Sequence, residues 1–288
     1  MRTKRRRPLR ALVLLLAVGA LALLWLHWQS WGLQTTFTQV EVDGLPDGFD
    51  GVRIVHLSDL HGHEYGEGSE ELLRRVREAE PDYIFLTGDL IDREEQLPVI
   101  GPLARGLAAI APTYYVTGNH EWAVGGVREL KALLKEWGVT VLANRYTVVE
   151  REGDELVIAG VDDPNGYADQ KTPEELYGEI QRAYPGLFTL LLAHRNDSAQ
   201  RYADAGYDLI FSGHAHGGII RLPFTDGLLS PARTLFPTHT AGVYAVGEGT
   251  LFVSRGLGNN TDPIHGFRLF NRLEVAVVEL KASSPEGS

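Results

Sequence analysis

Seven short apolar runs, each ending in a glycine or a polar cluster, constrain the fold of this chain more than any other feature. Runs this short that are rich in β-branched and aromatic residues are typical of buried β-strands. The 288 residues suffice for one large domain or two small ones, with ample apolar content for a core. The runs are "VRIVHLS", "DYIFLTG", "TYYVTG", "ELVIAGV", "FTLLLAH", "YDLIFSG" and "TLFVSRG".

Amphipathic stretches between several of these runs predict helices. Ser69 is placed to cap "EELLRRVREAE", which stops before Pro81, "GVRELKALLKEWG" ends at Gly138, and Pro173 opens "PEELYGEIQRAY". The early part therefore alternates strand and helix, and the later part adds strands without long helices between them. This order predicts an α/β layered domain with mixed sheets. Residues 222–238 are rich in Pro, Gly and Thr and are predicted to form a long functional loop.

The amino terminus carries a separate apolar segment. Residues 11–28, "ALVLLLAVGALALLWLHW", contain no Asp, Glu, Lys or Arg and follow a basic run at residues 1–10. Eighteen residues lie near the lower limit for a helix that crosses hydrocarbon, and tryptophans at one end suit the membrane interface. We interpret residues 11–28 as a transmembrane anchor. The positive-inside rule then keeps residues 1–10 in the cytoplasm and places the remaining chain outside it.

Two other interpretations of this segment remain. A cleaved signal peptide shares the basic start and the apolar centre. The small-x-small site Ala20-Leu21-Ala22 lies inside the apolar run, which favours retention. The stretch "RRRPLR" also resembles a twin-arginine export signal and points to the same side of the membrane. A buried core helix fits poorly beside six flanking positive charges.

The rest of the chain is acidic. Six of the 27 basic residues lie in the first ten positions, so residues 11–288 carry 21 basic and 38 acidic groups, a net charge of −17. Such a body repels nucleic-acid phosphates, which argues against nucleic-acid backbone binding, and it favours cations instead. The chain has no cysteine, so any metal site must use oxygen and nitrogen ligands.

Polar side chains follow five of the predicted strands at their carboxyl ends. In an α/β sheet these ends meet along one edge, where ligands characteristically bind. Taken singly, each cluster has an ordinary explanation, such as a capped turn or a polar residue at a strand end. Five of the ten histidines fall inside the clusters, and structural polar residues have no reason to concentrate there. The clusters are Asp59 and His61; Asp89 and Asp92; Asn119, His120 and Glu121; His194; and His214 and His216.

The number of donors favours two metal ions over one. A single divalent cation needs about four to six donors, and seven or more oxygen and nitrogen groups converge here. Asp89, from the middle strand, is placed to bridge the pair. Two ions about 3.5 to 4 Å apart bind phosphoryl oxygens and lower the pKa of a shared water, which is the chemistry of phosphate-ester hydrolysis.

These blocks, in this order, resemble the calcineurin-like metallophosphoesterase superfamily. The matching stretches are Asp59-Leu60-His61, Gly88-Asp89-Leu90-Ile91-Asp92, Gly118-Asn119-His120-Glu121, His194 and Gly213-His214-Ala215-His216. The apolar amino terminus, "GHAHGG" and "SRGLG" with Arg268 are similar to a membrane-associated bacterial branch that includes phosphodiesterases similar to UDP-2,3-diacylglucosamine hydrolase. The resemblance implies a four-layer sandwich of two mixed β-sheets flanked by helices, over residues 37–281.

The resemblance also implies roles for the site residues. Two divalent ions, drawn from Mn, Fe, Zn and Co, would be bound. His120 would protonate the leaving oxygen or stabilise the transition state, and Asp92 would orient it. The implied ligands are Asp59, His61, Asp89 and His216 for one ion, and Asp89, Asn119, His194 and His214 for the other.

The predicted function is hydrolysis of phosphodiester or pyrophosphate bonds, in a lipid or cell-envelope substrate at a bacterial membrane. A broad phosphomonoesterase and a nucleotide phosphodiesterase are the alternatives within this class. A catalytically inactive metal-binding interaction module is disfavoured because every ligand and His120 are present. A mononuclear metalloprotease would need a His-Glu-x-x-His helix, which the sequence lacks. The "RND" after His194, and Ile219 where the branch commonly has Gln, bear on substrate preference.

Five further residues need an interpretation of their own. His63 either extends the site or is a solvated loop residue, which is favoured. His56, inside the first run, is predicted to pack in the core. Glu121 either supports His120 or lies at the surface. Arg195 and Arg255 either bind a substrate phosphate, which suits the arginine fork, or form ordinary ion pairs.

Overall fold

A computed structural model describes residues 6–167, 170–222, 224–231, 233–259 and 266–283. The α-helices within these ranges are α1 (Arg6–Trp31), α2 (Glu70–Glu78), α3 (Leu97–Ile110), α4 (Asn119–Val124), α5 (Val127–Glu136), α6 (Pro173–Ala183) and α7 (Ala199–Ala205). The strands are β1 (Leu33–Val42), β2 (Arg53–Leu57), β3 (Tyr83–Thr87), β4 (Thr113–Val116), β5 (Thr140–Val141), β6 (Arg145–Arg151), β7 (Asp154–Gly160), β8 (Thr189–Arg195), β9 (Leu209–Gly213), β10 (Gly242–Val246), β11 (Gly249–Val253) and β12 (Leu273–Ala282).

The strands form two mixed six-stranded sheets. The first has the order β1-β12-β2-β3-β4-β5, and the second has the order β10-β11-β9-β8-β7-β6. Strands β2 to β5 are parallel to one another, as are β7, β8, β9 and β11, whereas β12 runs antiparallel to β2. Parallel strands joined by helices are what the alternating pattern of the sequence predicts.

Three apolar clusters separate four layers. Between the sheets, Ile54 and Phe85 of the first sheet pack with Leu190 and Phe211 of the second. Helices α2, α3 and α5 cover the other face of the first sheet, and α6 and α7 cover the other face of the second. The predicted α/β sandwich of two mixed sheets flanked by helices is therefore confirmed.

The topology places one end of α1 beside the edge where β2 ends. Strand β12 is antiparallel to β2, so its first residue, Leu273, lies near the carboxyl end of β2. Strand β1 is parallel to β12 and pairs Leu33 with Leu273. Because α1 ends at Trp31, directly before β1, the helix leaves the domain at that same edge.

Helix α1 is the one helix among the described residues that is long and apolar enough to cross a membrane. The candidate span covers Arg10–Trp31, with a mean hydropathy of 2.3, and no residue of its most apolar part is buried in the domain. The predicted boundaries at residues 10, 28 and 37 stay predictions, and β1 begins at Leu33.

One local prediction was wrong, and one helix was not predicted. Ser69 does not cap α2 through its side chain, because its backbone is left-handed, with φ 60°. Helix α3 was not foreseen, since "LPVIGPLARGLAAI" carries Pro102 within the helix. Burial compensates, because Ile100, Leu103 and Leu107 pack on the first sheet.

Candidate metal centre

All nine predicted site residues lie at one edge, where parallel strands of both sheets end. Strands β2, β3 and β4 deliver residues from the first sheet, and β8 and β9 deliver residues from the second. Among the described residues, three groups of side chains have donor atoms within 4.8 Å of one another. They are Asp59 with His61 and His216; His61 with Asp89 and His120; and Asp89 with His194 and His214.

The first group has the spacing of ligands around an ion. His61 Nε2 lies 3.2 Å from His216 Nε2, which lies 3.4 Å from Asp59 Oδ1. Metal–ligand distances of about 2.1 Å place neighbouring ligand atoms about 3.0 to 3.4 Å apart in octahedral or tetrahedral geometry. These three side chains therefore fit a divalent cation.

The group of Asp89, His194 and His214, with Asn119 beside it, fits a cation equally well. Asp89 Oδ2 lies 3.1 Å from His194 Nε2, which lies 3.2 Å from Asn119 Oδ1. The backbone carbonyl of Thr87 accepts a hydrogen bond from His194 Nδ1 at 2.7 Å, so the ring proton is held on Nδ1. The lone pair of Nε2 is then free for a metal ion, as is usual for histidine ligands.

Asp92 binds two imidazoles. Its Oδ1 accepts from His61 Nδ1 at 2.6 Å and from His120 Nδ1 at 2.7 Å. The sequence predicted the contact with His120, and the contact with His61 is additional. Nε2 of His120 lies 3.9 Å from Asp89 Oδ2, so this nitrogen faces the centre of the site.

Carboxylates dominate the electrostatics of the site. Burial lowers the pKa of His120, but the hydrogen bond to Asp92 and the charges of Asp89 and Asp92 outweigh this and raise the pKa to about 9. Burial likewise disfavours charged His194, yet the charge of Asp89 raises its pKa to about 10. Protons are thus drawn to imidazoles that face buried carboxylates. Divalent cations would satisfy the same excess of negative charge.

The backbone is strained where it presents these side chains. Five candidates have left-handed backbones: Asp59, His61, Asp89, His214 and His216, with φ between 48° and 67°. Such conformations cost about 1 kcal/mol each outside glycine and are concentrated at functional sites. A Cβ at Gly213 would lie 2.4 Å from Asp59 Oδ2, and one at Gly118 would lie 2.2 Å from Asp89 Oδ1, so these glycines make room for the carboxylates.

Glu121 stabilises the backbone that carries the site residues. Its side chain is fully buried and accepts backbone hydrogen bonds from Asp89 at 3.0 Å, from Gly118 at 2.7 Å and from Leu90. Burial, with the charge of Asp89, raises the pKa of Glu121 to about 7. The sequence left its role open. Its third position in the helix that begins at Asn119 is the signal that could have identified it as a cap.

His56 and His63 are histidines outside the nine predicted site residues. His56 is fully buried and hydrogen bonds to Thr87, as predicted for a core residue. His63 is half-buried, packs against Trp31 and Tyr65, and lies outside the three groups found among the described residues. His265 lies outside the described residues.

The two arginines that the sequence singled out differ in their position. Arg195 bonds Asp163 at 2.8 Å and places Nη1 3.1 Å from His214 Nε2, beside the site. Arg255 pairs with Glu274 at 2.7 Å.

Arg268 connects the site to the end of α1. Its guanidinium is buried and donates to Arg255 O, Gly258 O and Asn259 Oδ1, and Nη2 lies 3.1 Å from His216 Nδ1. Burial lowers the pKa of Arg268 to about 10. Asn259 also donates to Ser30 O at 2.8 Å. No local pattern in the sequence indicates the contact of Asn259 with Ser30, because the two residues lie more than 200 positions apart.

A cavity of about 390 Å³ opens next to His214. Its lining combines Asn196 and Gln200 with Thr234 and Thr238 from the predicted long loop and with His239, which follows that loop. The loop therefore forms a wall of the space beside the candidate metal centre.

Comparison with known proteins identifies the class. Residues 52–218 match the calcineurin-like phosphoesterase family. The chain is 32% identical to the metallophosphoesterase YkuE of Bacillus subtilis (strain 168), covering 88% of this chain and 87% of that protein. It is 32% identical to phosphodiesterase YaeI of Escherichia coli (strain K12), covering 79% and 82%. A transmembrane protein with a metallophosphoesterase domain from Bos taurus is 34% identical, covering 86% and 57%.

The fold, the donor clusters and these matches define a metal-dependent enzyme that hydrolyses phosphoesters. The chain belongs to the calcineurin-like metallophosphoesterase family.

Proposed function

We propose that this enzyme is a membrane-anchored phosphodiesterase that uses two divalent cations to cleave a phosphodiester or pyrophosphate bond in a lipid or envelope molecule. The observation that carries the proposal is that Asp89 belongs to two donor groups at once, one with His61 and one with His194 and His214. A shared carboxylate offsets the repulsion between two cations. The relative from Escherichia coli that is named a phosphodiesterase favours diester cleavage.

The two ions would share Asp89. The first would also be held by Asp59, His61 and His216, and the second by Asn119, His194 and His214. When bound, the cations neutralise phosphate oxygens and lower the pKa of water, which supplies the nucleophile. Mn, Fe, Co and Zn all accept mixed oxygen and imidazole donors, so the chain's own ligands do not select among them.

His120 would provide the proton for the leaving oxygen. Its Nδ1 is held by Asp92 at 2.7 Å, which fixes the ring plane, and its Nε2 faces the centre of the site. A positioned acid of this kind contributes about 10²- to 10⁴-fold to the rate. The cavity beside His214 would receive the part of the substrate that departs.

The position of α1 supports a substrate in the membrane or the envelope. The helix leaves the domain at the edge that carries the candidate metal centre. Buried contacts continue from Ser30, at the end of α1, through Asn259 and Arg268 to His216. A site this close to the end of a membrane span is suited to phosphate groups at the bilayer surface. The six positive charges before the span favour a domain outside the cytoplasm.

The decisive experiment measures turnover and metal content together. Purified full-length chain in detergent is assayed with bis-p-nitrophenyl phosphate after loading with Mn, Fe, Co or Zn, and then with phospholipids, UDP-linked lipids and nucleotides. His120→Ala is expected to lose at least 100-fold in turnover and to keep two bound ions per chain. His63→Ala, a nearby histidine outside the donor groups, is the matched control. Equal activity of wild type and His120→Ala would reject the proposal, as would one bound ion or none.

Orientation has its own test. The chain has no cysteine, so Glu152→Cys introduces a single thiol at the turn between β6 and β7. A membrane-impermeant maleimide added to intact cells is expected to label it. Labelling only after lysis would place the domain in the cytoplasm.

A further inference from the structure

Six large apolar side chains stand exposed on the segments that flank the site. Three of them, Phe224, Phe236 and Leu235, are more than 60% exposed, and Phe270 is 52% exposed. Exposed apolar side chains that lie together mark contact surfaces in soluble parts of proteins. We call the following set the apolar ribbon: Leu222, Phe224, Leu235, Phe236, Phe267 and Phe270.

Backbone hydrogen bonds hold the segments of the apolar ribbon side by side. Arg221 N donates to Leu269 O at 3.0 Å, which joins the segment of Leu222 to that of Phe270. Leu228 N donates to Ile220 O at 2.8 Å, and Phe236 N donates to Leu228 O at 3.0 Å. Neighbouring strands lie about 4.8 Å apart, so four adjacent segments span about 15 Å. The six exposed side chains thus stand on backbone segments that adjoin one another.

The apolar ribbon is also continuous with α1. Trp25 contacts Phe270, with 5.6 Å between the ring centroids, and Arg272 lies 4.3 Å from the ring of Trp28. Both tryptophans belong to the last two turns of the helix. The domain therefore packs against the end of the candidate membrane span, on the side where the ribbon begins.

Helix geometry fixes the depth of this contact. At 1.5 Å per residue, the span Arg10–Trp31 is about 33 Å long, close to the roughly 30 Å thickness of the hydrocarbon core. Trp25 lies about 22 Å from Arg10 along an upright helix. With Arg10 at one boundary, Trp25 lies about 8 Å inside the other. Phe270, which touches Trp25, is then at the level of the acyl chains or the headgroups.

We propose that the apolar ribbon docks on the bilayer in which α1 is anchored, with its aromatic side chains in the interface between headgroups and acyl chains. Phe and Leu side chains partition into this region. Their contact with the bilayer strengthens the membrane binding that a single span provides. The inference rests on the proposed anchoring by α1. It goes beyond that anchoring because it orients the whole domain on the membrane.

Docking would bring the cavity beside His214 to the headgroup level. Thr234 and Thr238, which line the cavity, flank Leu235 and Phe236 of the ribbon in the same loop. One face of this loop would thus meet lipid while the other lines the site. A phosphoester at the bilayer surface would enter without leaving the membrane.

The test measures depth in the membrane rather than activity. Single-cysteine variants Phe236→Cys and Phe270→Cys of the full-length chain are labelled with an environment-sensitive fluorophore and reconstituted into phosphatidylcholine–phosphatidylglycerol vesicles. Phe37→Cys is the matched control, a 72% exposed phenylalanine on β1 outside the ribbon. Glu152→Cys is a second control, at the end of the sheets opposite the candidate metal centre. Vesicle flotation of each variant checks the anchoring by itself.

The expected result is a blue-shifted fluorophore at positions 236 and 270 that nitroxide-labelled lipids quench at least twofold more than at positions 37 and 152. Equal quenching at all four positions, with the chain still floating, would overturn the docking and leave the anchor intact. Shielding from water at 236 without quenching by lipid would also overturn it, because a second copy or a protein partner would then cover the ribbon. Failure to float would reject the anchor on which the inference rests.

A charge variant provides a second readout. Leu235→Asp with Phe236→Asp is expected to lower hydrolysis of a vesicle-embedded phosphodiester by about tenfold or more and to leave hydrolysis of soluble bis-p-nitrophenyl phosphate unchanged. Phe37→Asp is the control and should change neither rate. Equal loss on both substrates, or no loss on vesicles, would contradict the docking.

Discussion

Ser30 and Arg268 hydrogen bond to each other in both directions although 238 residues separate them in the chain. Arg268 N donates to Ser30 Oγ at 3.1 Å, and Ser30 Oγ donates to Arg268 O at 3.2 Å. The guanidinium of the same arginine lies 3.1 Å from His216. The buried residue Arg268 therefore contacts both the end of the apolar helix and the candidate metal centre.

Substitution of Arg268 is expected to destabilise the domain. Arg268→Lys keeps a positive charge but cannot reach the acceptors on Arg255, Gly258 and Asn259 together. Leaving these buried acceptors unpaired costs about 2–4 kcal/mol, which thermal or denaturant unfolding of the detergent-solubilised chain would measure. Arg77→Lys, at an exposed position on α2, is the control and should change stability by less than about 0.5 kcal/mol. A similar loss in both variants would contradict this role of Arg268.

Substitution of Glu121 tests whether the buried carboxylate holds the strand ends. Glu121→Gln replaces one acceptor oxygen by a donor that faces backbone N–H groups of Asp89, Leu90 and Gly118. We expect a loss of about 2–4 kcal/mol in unfolding free energy and weaker metal binding, because Asp89 is displaced. Elemental analysis and thermal unfolding are the measurements. Glu129→Gln, at an exposed position on α5, should match wild type, and an unaffected Glu121→Gln would refute the expectation.

The strand ends were the most predictable part of the molecule. Buried parallel strands are short and mostly apolar, so a cluster of polar residues after Leu57, Thr87 and Val116 marks both their ends and the site. The topology of the sheets then brings together side chains that are far apart in the sequence, such as Asp59 and His216. The sequence could identify the convergent edge because the rule that ligands bind at the carboxyl ends of strands does not depend on details of packing.

Features that depend on long-range packing were not predictable. The pairing of β1 with β12 joins the two ends of the domain, and no local pattern specifies it. The burial of Arg268 contradicts the usual exposure of arginine and is compensated by acceptors from the segment 255–259. Helix α3 formed despite Pro102, because burial outweighed local propensity.

A pH dependence of stability should follow from His56. Burial, opposed in part by the charge of Asp59, lowers the pKa of His56 from 6.5 to about 3. Between these values the unfolded chain binds a proton that the folded chain does not, so stability falls as the pH falls below about 6.5. The slope contributed by one such group is at most about 1.4 kcal/mol per pH unit.

The variant His56→Phe isolates this group. Phe211 and Phe252 already surround the imidazole, so a phenyl ring suits the space. Between pH 7.5 and pH 5, in the presence of a chelator, wild type should lose about 1–2 kcal/mol more stability than the variant. Denaturant unfolding at each pH is the measurement. Parallel pH profiles would show that His56 does not titrate between the folded and unfolded states.

Metal removal should destabilise the chain through the same carboxylates. Asp59 and Asp89 are fully buried, and chelation leaves their charges to be balanced by protons on neighbouring imidazoles. A ligand at 100 times its Kd contributes about 2.7 kcal/mol of stability, so EDTA should lower Tm by several degrees and Mn or Zn should restore it. Asp89→Asn is expected to lose most of this response because it removes the shared carboxylate. Glu129→Gln is the control and should respond like wild type; an unchanged response in Asp89→Asn would show that the ions bind elsewhere.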